Sequence, residues 1–464
     1  MKLSEDIARN MYWKLQDLRG KSDIAKRLQI LRKTQHMRPE EIKTLQFDKL
    51  LTILKHAYNT VPYYKQIFQE RGISPHDFNC FEDMQQIPLL TRDLLRSKQN
   101  ELISTEADFA TIQNNYSSGS TGVRAEFKQD LNFRLWMRAH QIRTYEWCND
   151  WQLGNPFVLL WGSEIYWSYK RVLDMIDNFL TNRREFNTFN LSNDLINKFL
   201  DKLITFNPYL VSTYTNAMHL IAKRAEERNV TIKGLKAIQA TSEPVPTAVR
   251  DRMKKVFGCE IYDKYGMRES NIISHESPLH DGMCIQSENV YVEFLKPDGS
   301  PCKYGEKGKV VVTTLNNLSM PLIRYETSDL AAPLAGYCSS GIGLPRMTSV
   351  TGRLQDLIIS PTGSHIDAYF FSYLIMRYPQ IHWFQVVQSE LERLNIHLYA
   401  PNGIITELRN EIVERIHHHT GFPFNIEFEL LSEMPISSTG KFRLCVSELG
   451  KSYSEIAATG SGKL

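Results

Sequence analysis

The sequence predicts an α/β fold, a large N-terminal part followed by a small α+β part, and three observations carry that reading. Short apolar runs alternate with helical patterns from about residue 156 to residue 264, the signature of strands crossing over through helices. Near residue 290 the pattern changes to strict alternation with turn residues, as in a β meander. Gly352-Arg-Leu-Gln-Asp356 then separates this region from a last mixed stretch of strands and helices. The chain has 464 residues, room for about three folding units.

Taken in order, residues 1–60 read as helical, because Ile42, Leu45, Phe47, Leu50, Leu51, Ile53 and Leu54 crowd one broad face. Val61-Pro62 ends the run, since a residue before proline is pushed out of the α region. Within it Tyr12–Met37 is basic and reads as a solvated helix. Further along, 156–161, 209–213, 235–240 and 260–264 read as strands of a largely parallel sheet. Helices are expected at 194–204, 216–228 and 247–256 between them. Val290–Phe294 and Gly308–Val312 flank the turn Pro297-Asp-Gly299. The boundaries expected from this pattern are 1–352, 353–450 and a flexible tail at 451–464.

Composition narrows the class. Hydrophobic residues make up 42% and charged residues 23%, as in globular proteins. A formal net charge of +3 is too even for a dedicated nucleic-acid binder. No apolar run approaches the roughly 20 residues that span a bilayer, and Met1–Asp6 carries acids where a secretory signal would be apolar. Seven cysteines without regular spacing suit a reducing, cytoplasmic location.

The chemistry is concentrated in five segments. Asn115-Tyr-Ser-Ser-Gly-Ser-Thr-Gly122 interleaves hydroxyls with glycines, so N–H and O–H groups can turn into one concavity that suits phosphate oxygens. It lacks the Lys-Ser/Thr of a Walker A loop, and a serine-glycine linker is its plain alternative. The other four are Thr241-Ser-Glu-Pro-Val-Pro246, Tyr262-Asp-Lys-Tyr-Gly-Met-Arg-Glu269, Pro321-Leu-Ile-Arg-Tyr-Glu-Thr-Ser-Asp329 and Ser438-Thr-Gly-Lys-Phe-Arg443.

In this order the segments resemble the adenylate-forming superfamily of acyl-CoA synthetases, luciferases and peptide-synthetase adenylation domains. The nearer resemblance is to its phenylacetate–CoA ligase branch, capsule-biosynthesis relatives included, supported by Leu54–Tyr64 and by Phe81–Thr91. The likeness runs from about residue 40 to about residue 450 and implies a large adenylate-forming domain with a small mobile C-terminal one.

That resemblance implies a role for each matching residue. Ser117, Ser118, Gly119, Ser120, Thr121 and Gly122 match the loop that cradles the β- and γ-phosphates of ATP. Ser242, Glu243 and Pro244 match the segment beside the adenine, and Tyr265, followed by Gly266, matches the aromatic that stacks on it. Glu269 matches the Mg²⁺ carboxylate, Asp329 the carboxylate that accepts both ribose hydroxyls, and Arg353 the hinge arginine that reaches the nucleotide. Lys441 matches the mobile lysine that joins the substrate carboxylate to the α-phosphate as an electrostatic catalyst.

Several positions depart from the pattern. Val123-Arg124 follows the phosphate loop where many relatives have proline and lysine, so Arg124 is the substitute contact. Arg268 stands where threonine or serine holds the α-phosphate; its fork suits phosphate or Glu269. Ser328 replaces a glycine, a change expected to matter little, and Gln355 replaces an Asp or Lys of the hinge. Some relatives bind a structural zinc, but here His275, Cys284 and Cys338 are joined by Ser340 instead of a last cysteine, so zinc is not expected. His417-His-His419 reads as a solvated helix end, because consecutive helical residues point about 100° apart. The aromatic set Trp136, His140, Trp147, Trp151, Trp161, Tyr166 and Trp167 reads first as core and second as an acyl pocket.

The activity implied is an ATP- and Mg²⁺-dependent ligase. It would make an acyl-AMP of an aryl or acyl acid, release pyrophosphate, and pass the acyl group to coenzyme A. The rivals are an amide- or ester-forming ligase on the same adenylate and a degenerate nucleotide-binding homologue. The partners implied are a small carboxylic acid and an acyl acceptor, with no nucleic-acid polymer and no transmembrane segment; the reading leaves room for a homodimer.

Overall fold

Proline sets the first boundaries. Pro39 and Pro62 stand at the first turns of helices Pro39–Thr60 and Pro62–Arg71, where the missing N–H has no intrahelical partner to lose. A computed structural model describes residues 4–18, 23–116, 125–161, 172–187, 193–350, 358–361, 365–366, 368–375, 378, 380–433, 435, 444–447 and 449.

The helical stretch expected over 1–60 is divided into Glu5–Leu18, Asp23–Thr34 and Pro39–Thr60. Its basic part is solvated on its charged side only; the apolar side, contrary to expectation, is buried. Tyr12, Ile24, Leu28 and Leu31 are buried against Leu135, Ala139 and Ile142 of helix Leu131–Glu146. The positions 24, 28 and 31 form an apolar stripe at helical spacing, while the charges line the other side. There Arg27 donates to Asn132 at 2.8 Å and Arg32 Nε to Glu146 at 3.0 Å.

Strands β1 (Gln113–Tyr116) and β2 (Glu126–Gln129) pair antiparallel, with Tyr116 opposite Glu126. Asp130 then caps helix Leu131–Glu146, accepting from the Phe133 N–H at 2.7 Å. Its other oxygen accepts from the N–H groups of Leu318 and Ser319, at 2.7 and 3.0 Å.

The main sheet is built from β3 (Phe157–Trp161), β4 (Arg183–Asn187), β5 (Leu210–Tyr214), β6 (Ala237–Thr241), β7 (Glu260–Met267), β8 (Asn271–Glu276) and β9 (Met283–Ile285). β10 (Val290–Leu295), β11 (Gly308–Thr314) and β12 (Tyr325–Ala331) form a separate antiparallel sheet, the expected meander. β13 (Pro333–Leu334) and β14 (Arg346–Met347) return to the main sheet, whose order is β13-β14-β9-β8-β7-β6-β5-β3-β4.

That sheet is mixed, not largely parallel. β4, β3, β5, β6 and β7 run parallel, and every pairing beyond β7 is antiparallel. Connection length explains the change. Helices Asn193–Phe206, Thr215–Glu227 and Thr247–Phe257 supply the long crossovers that parallel strands need. Three residues, 268–270, join β7 to β8, which permits a hairpin alone. Leu200, Leu203, Met218, Ile221 and Met253 pack these helices on Val158, Val211, Ile238 and Ile261.

The last part contains β15 (Ile358–Ile359), β16 (His365–Ile366), β17 (Trp383–Glu390), β18 (Arg393–Tyr399), β19 (Asn425–Leu430) and β20 (Cys445–Ser447). The order β19-β18-β17-β20 puts a central hairpin between two parallel edges. Phe371, Phe384, Ile396, Ile412 and Ile416 fill its core, making a small α/β unit with its own apolar centre. At the end of helix Thr406–Thr420, His417 meets the Phe424 carbonyl at 2.9 Å and His419 stacks on Phe370. Among the described residues no helix is long and apolar enough to cross a membrane.

Candidate active site

The parallel strands end together where the sheet changes sense, the place at which open α/β sheets leave a crevice. Four of the five chemistry-bearing segments contribute described residues around it, and local backbone geometry explains how they are held.

After β6 the chain turns at Ser242, whose φ of 76° lies in the left-handed region. Thr241 Oγ1 donates to the Lys264 carbonyl at 2.9 Å, and Thr215 Oγ1 donates to the Glu243 carbonyl at 2.7 Å. Ser242, Glu243 and Pro244 are thereby fixed beside the end of β7. Gly266 is required where β7 shifts register against β8, because a Cβ there would stand 2.5 Å from the Asn271 carbonyl oxygen.

Tyr265 and Asp329, distant in sequence, meet directly. The Tyr265 hydroxyl donates to Asp329 Oδ2 at 2.6 Å, joining β7 to β12. Asp329 follows Ser328, which adopts a φ of 67°, and its N–H donates to Thr327 Oγ1 at 3.2 Å. Ser328 therefore occupies a conformation that favours glycine, so the replacement is not as neutral as expected.

Arg268 ties β7 to the hairpin that brackets the hydroxyl-glycine loop. Its carbonyl accepts from Gln129 Nε2 at 2.8 Å, and its Nη1 donates to the Tyr116 carbonyl at 3.3 Å. Glu269 beside it is only 3% exposed, and among the described residues no hydrogen bond or ion pair engages its carboxylate. Burial first, and the charge of Glu269 second, push the Tyr325 phenol well above its usual range. Ser117, Ser118, Gly119, Ser120, Thr121, Gly122, Arg124, Arg353 and Lys441 lie outside the described residues.

Residues 358–448 match the family model described as the CapK C-terminal domain. The chain is 26% identical over 330 residues to a phenylacetate-coenzyme A ligase of Escherichia coli, covering 69% of this chain and 73% of the relative. It is 20% identical over 430 residues to protein CapK of Staphylococcus aureus, with 88% and 89% covered. A crystal structure of 2-hydroxyisobutyryl-CoA ligase, in the postadenylation state with R3-HIB-AMP, shares the fold. Its TM-score is 0.75 and its identity 18%, over 90% of this chain and 92% of that one. The chain is thus phenylacetate–CoA ligase-like in sequence and shares the fold of an adenylate-forming ligase.

In this ligase-like chain the cysteine–histidine set has protein partners. His275 Nδ1 donates to the Glu276 carbonyl at 2.7 Å, so its Nε2 is the acceptor that meets Gln239 Nε2 at 3.0 Å. Burial draws the ring down to about 3, leaving it neutral. Cys338 Sγ lies 2.7 Å from Ser340 Oγ, and a hydrogen bond from Cys284 holds the Cys338 thiol down at about 6. Among the described residues no three His, Cys, Asp or Glu side chains gather as metal ligands.

Of the aromatic set, Trp147 and Trp151 are buried core residues, Trp136 carries Arg27 and Lys49 over its ring, and Trp161 packs against Tyr214. Tyr166 and Trp167 lie outside the described residues.

Sequence reasoning missed a buried polar cluster beneath helix Leu131–Glu146. Ser212 Oγ donates to Gln239 Oε1 at 3.1 Å, Gln239 Nε2 also faces Thr144 Oγ1 at 3.5 Å, and Cys148 Sγ lies 3.6 Å from His275 Nε2. Its signal was available in Gln239 and Lys264, polar residues inside strands that otherwise read as buried.

Proposed function

We propose that this chain activates an organic acid with ATP, forming an acyl-AMP and pyrophosphate, and then transfers the acyl group to coenzyme A. The observation that carries the reading is Glu269, a buried carboxylate without a protein partner among the described residues, beside the base of the hydroxyl-glycine loop. A carboxylate kept unneutralised there calls for a cation, and Mg²⁺ fits, since it takes one or two carboxylates and completes its shell with water and phosphate oxygens. Bound, it would offset phosphate charge.

The rest of the site divides the nucleotide. Ser117–Gly122 wrap the β- and γ-phosphates, with Arg124 and Arg268 as further cations. The Tyr265 ring, with Ser242–Pro244 opposite, takes the adenine, and Asp329 takes the ribose hydroxyls. The Tyr265–Asp329 hydrogen bond supports that division, because it joins the ring proposed for the adenine to the carboxylate proposed for the ribose.

In the first half-reaction a carboxylate oxygen of the acid forms a bond to the α-phosphorus as the bond to the bridging oxygen breaks, and pyrophosphate leaves. The nucleophile is already ionised at neutral pH, so no general base is needed. Lys441 offsets the charge that develops, and positioning supplies the remainder. In the second half-reaction the thiolate sulfur attacks the acyl carbonyl and AMP leaves. Before it, the small part would rotate about Gly352–Asp356, with Arg353 as a further contact to the nucleotide.

A pyrophosphate-release assay across aryl, acyl and amino acids tests this reading. Acid-dependent release is expected, falling about 100-fold or more in Lys441→Ala, the range set by removing one electrostatic catalyst. Thioester is expected only when coenzyme A is added. AMP release that ignores coenzyme A and responds to an amine would replace the thioester step by amide formation.

A further inference from the structure

We propose that the acid taken by this site carries a second anionic group and that Lys264 binds it, an inference that rests on the acid-activating reading above. The argument begins with the strand. Lys264 immediately precedes Tyr265 on β7, so their side chains leave opposite faces. Tyr265 turns to Asp329 of the three-stranded sheet. Lys264 stands on the other face, in register with Thr241 on one side and His275 on the other, beneath helix Leu131–Glu146.

The residue is buried, with 8% of it exposed, and among the described residues its ammonium makes no hydrogen bond and no ion pair. Among the described residues, other buried cations are partnered. Arg143 binds Glu288, Arg324 binds Glu293, Lys49 donates to the Glu288 carbonyl and Asn316, and Lys223 donates to the Ile381 carbonyl.

Polar neighbours exist but are committed elsewhere. His275 spends both ring nitrogens on Glu276 and Gln239, and Gln239 spends its amide on Ser212, Thr144 and His275. Asp263 of β7 and Glu276 of β8 are not its partners either. Asp263 leaves the opposite face of β7. Glu276 pairs with Arg250 and His280 and accepts from the Asp263 N–H. Burial lowers the Lys264 ammonium to about 8, so the group is still mostly charged at neutral pH.

A buried cation without a counter-charge is costly, and the cost falls when an anion arrives. The place where an anion would arrive is the acid side of the nucleotide. On the proposed reading the reacting carboxylate lies near Arg268 and the loop base, and Lys264 stands four residues before Arg268, in β7. An acid with one anionic end at the α-phosphate and another at Lys264 satisfies both. Gln239 and Thr144 supply polar surroundings for such an end, and a purely apolar acid would leave Lys264 unmatched.

Three measurements test this on the full chain. In pyrophosphate release, α,ω-dicarboxylates of graded length are compared with monocarboxylates that carry a methyl in place of the second carboxylate. An ω-phosphono series separates carboxylate from phosphonate recognition. The expected result is at least about a tenfold preference in kcat/KM for the doubly anionic member of some pair. Lys264→Met should abolish that preference while leaving ATP affinity unchanged, and Lys264→Arg should retain part of it. Equal or better use of the monocarboxylates by the native chain, or a preference that survives in Lys264→Met, would overturn the proposal.

The second measurement needs no catalysis. A dicarboxylate should raise the melting temperature of the native chain and not that of Lys264→Met, and no shift with any member of the series would also refute it. The third is the ligand-free melting temperature. It should rise in Lys264→Met, because an uncompensated buried charge is removed; a fall would reveal an internal partner and count against the role. If no acid supports pyrophosphate release but dicarboxylates still bind through Lys264, the adenylation reading fails and the anion site stands.

Discussion

At the scale of single residues, the site is held by conformations that side chains adopt reluctantly. Ser328 has a φ of 67° immediately before Asp329, and β11 and β12 slip register around it. A left-handed non-glycine residue costs about 1–2 kcal/mol, partly returned by the smaller entropy that serine loses on folding. Ser328→Gly should therefore raise stability by up to about 1 kcal/mol, read as a higher denaturant midpoint with an unchanged slope. An unchanged midpoint would mean that serine is not strained there. The motif segments around Asp329 and Tyr265 are legible in the sequence because each combines unusual residue types at short range. Their contact is not, since it depends on a separate sheet meeting the end of β7. Lys264 and Gln239 are visible as polar residues in apolar strands, but only strand register shows that they share a face with His275. Ser328 was misread because a serine gives no local sign of a positive φ.

Among elements, the deepest polar tie joins two helices to the chain after β9. Arg143 of helix Leu131–Glu146 donates to Glu288 at 2.7 and 2.9 Å and to the Leu31 carbonyl at 3.1 Å, and Thr34 donates to the same carboxylate at 2.5 Å. Burial alone would raise the Glu288 carboxyl, but the charge and hydrogen bonds of Arg143 outweigh it and hold the group at about 2. The usual glutamate value is about 4.3, so the folded value is depressed. The pair's contribution is then complete above about pH 5 and is lost as pH falls toward 2. Acid unfolding of the native chain should steepen in that window, and Glu288→Gln should flatten it while lowering stability at pH 7. Arg143→Met should cost about 3–5 kcal/mol, since it leaves a buried carboxylate unpaired; a loss below about 1 kcal/mol would show that the network is solvated. The N-terminal helices, expected in the sequence as a solvated basic run, are in this light part of the support for the candidate site.

For the whole molecule, the point of interest is how the small C-terminal unit meets the large part. Lys223 of helix Thr215–Glu227 donates to the Ile381 carbonyl at 2.5 Å, just before β17. Burial first, and the positive charge of Arg252 second, draw the Lys223 ammonium down to about 7. The groups facing it are His219 and Arg252 on the large part, Glu227 one turn along its own helix, and His382 on the small part. His219 and His382 are themselves lowered, first by burial and next by Lys223. If the small unit swings away, as the proposed second half-reaction requires, Lys223 regains water and returns toward its usual value of about 10.4. The separated arrangement then binds more protons than the docked one between about pH 7 and pH 10, so raising pH through that window favours docking and lowering it favours release. His382, which also protonates more readily once exposed, acts in the same direction at lower pH. Lys223→Met removes the lysine's share of this dependence and keeps an apolar stem against the contact. Hydrogen exchange around residues 381–390 should therefore be faster at pH 7 than at pH 9 in the native chain, after correction for the intrinsic pH effect. It should be nearly independent of pH over that interval in the variant. Equal pH dependence in both would show that Lys223 does not control the docking, whatever holds the two parts together.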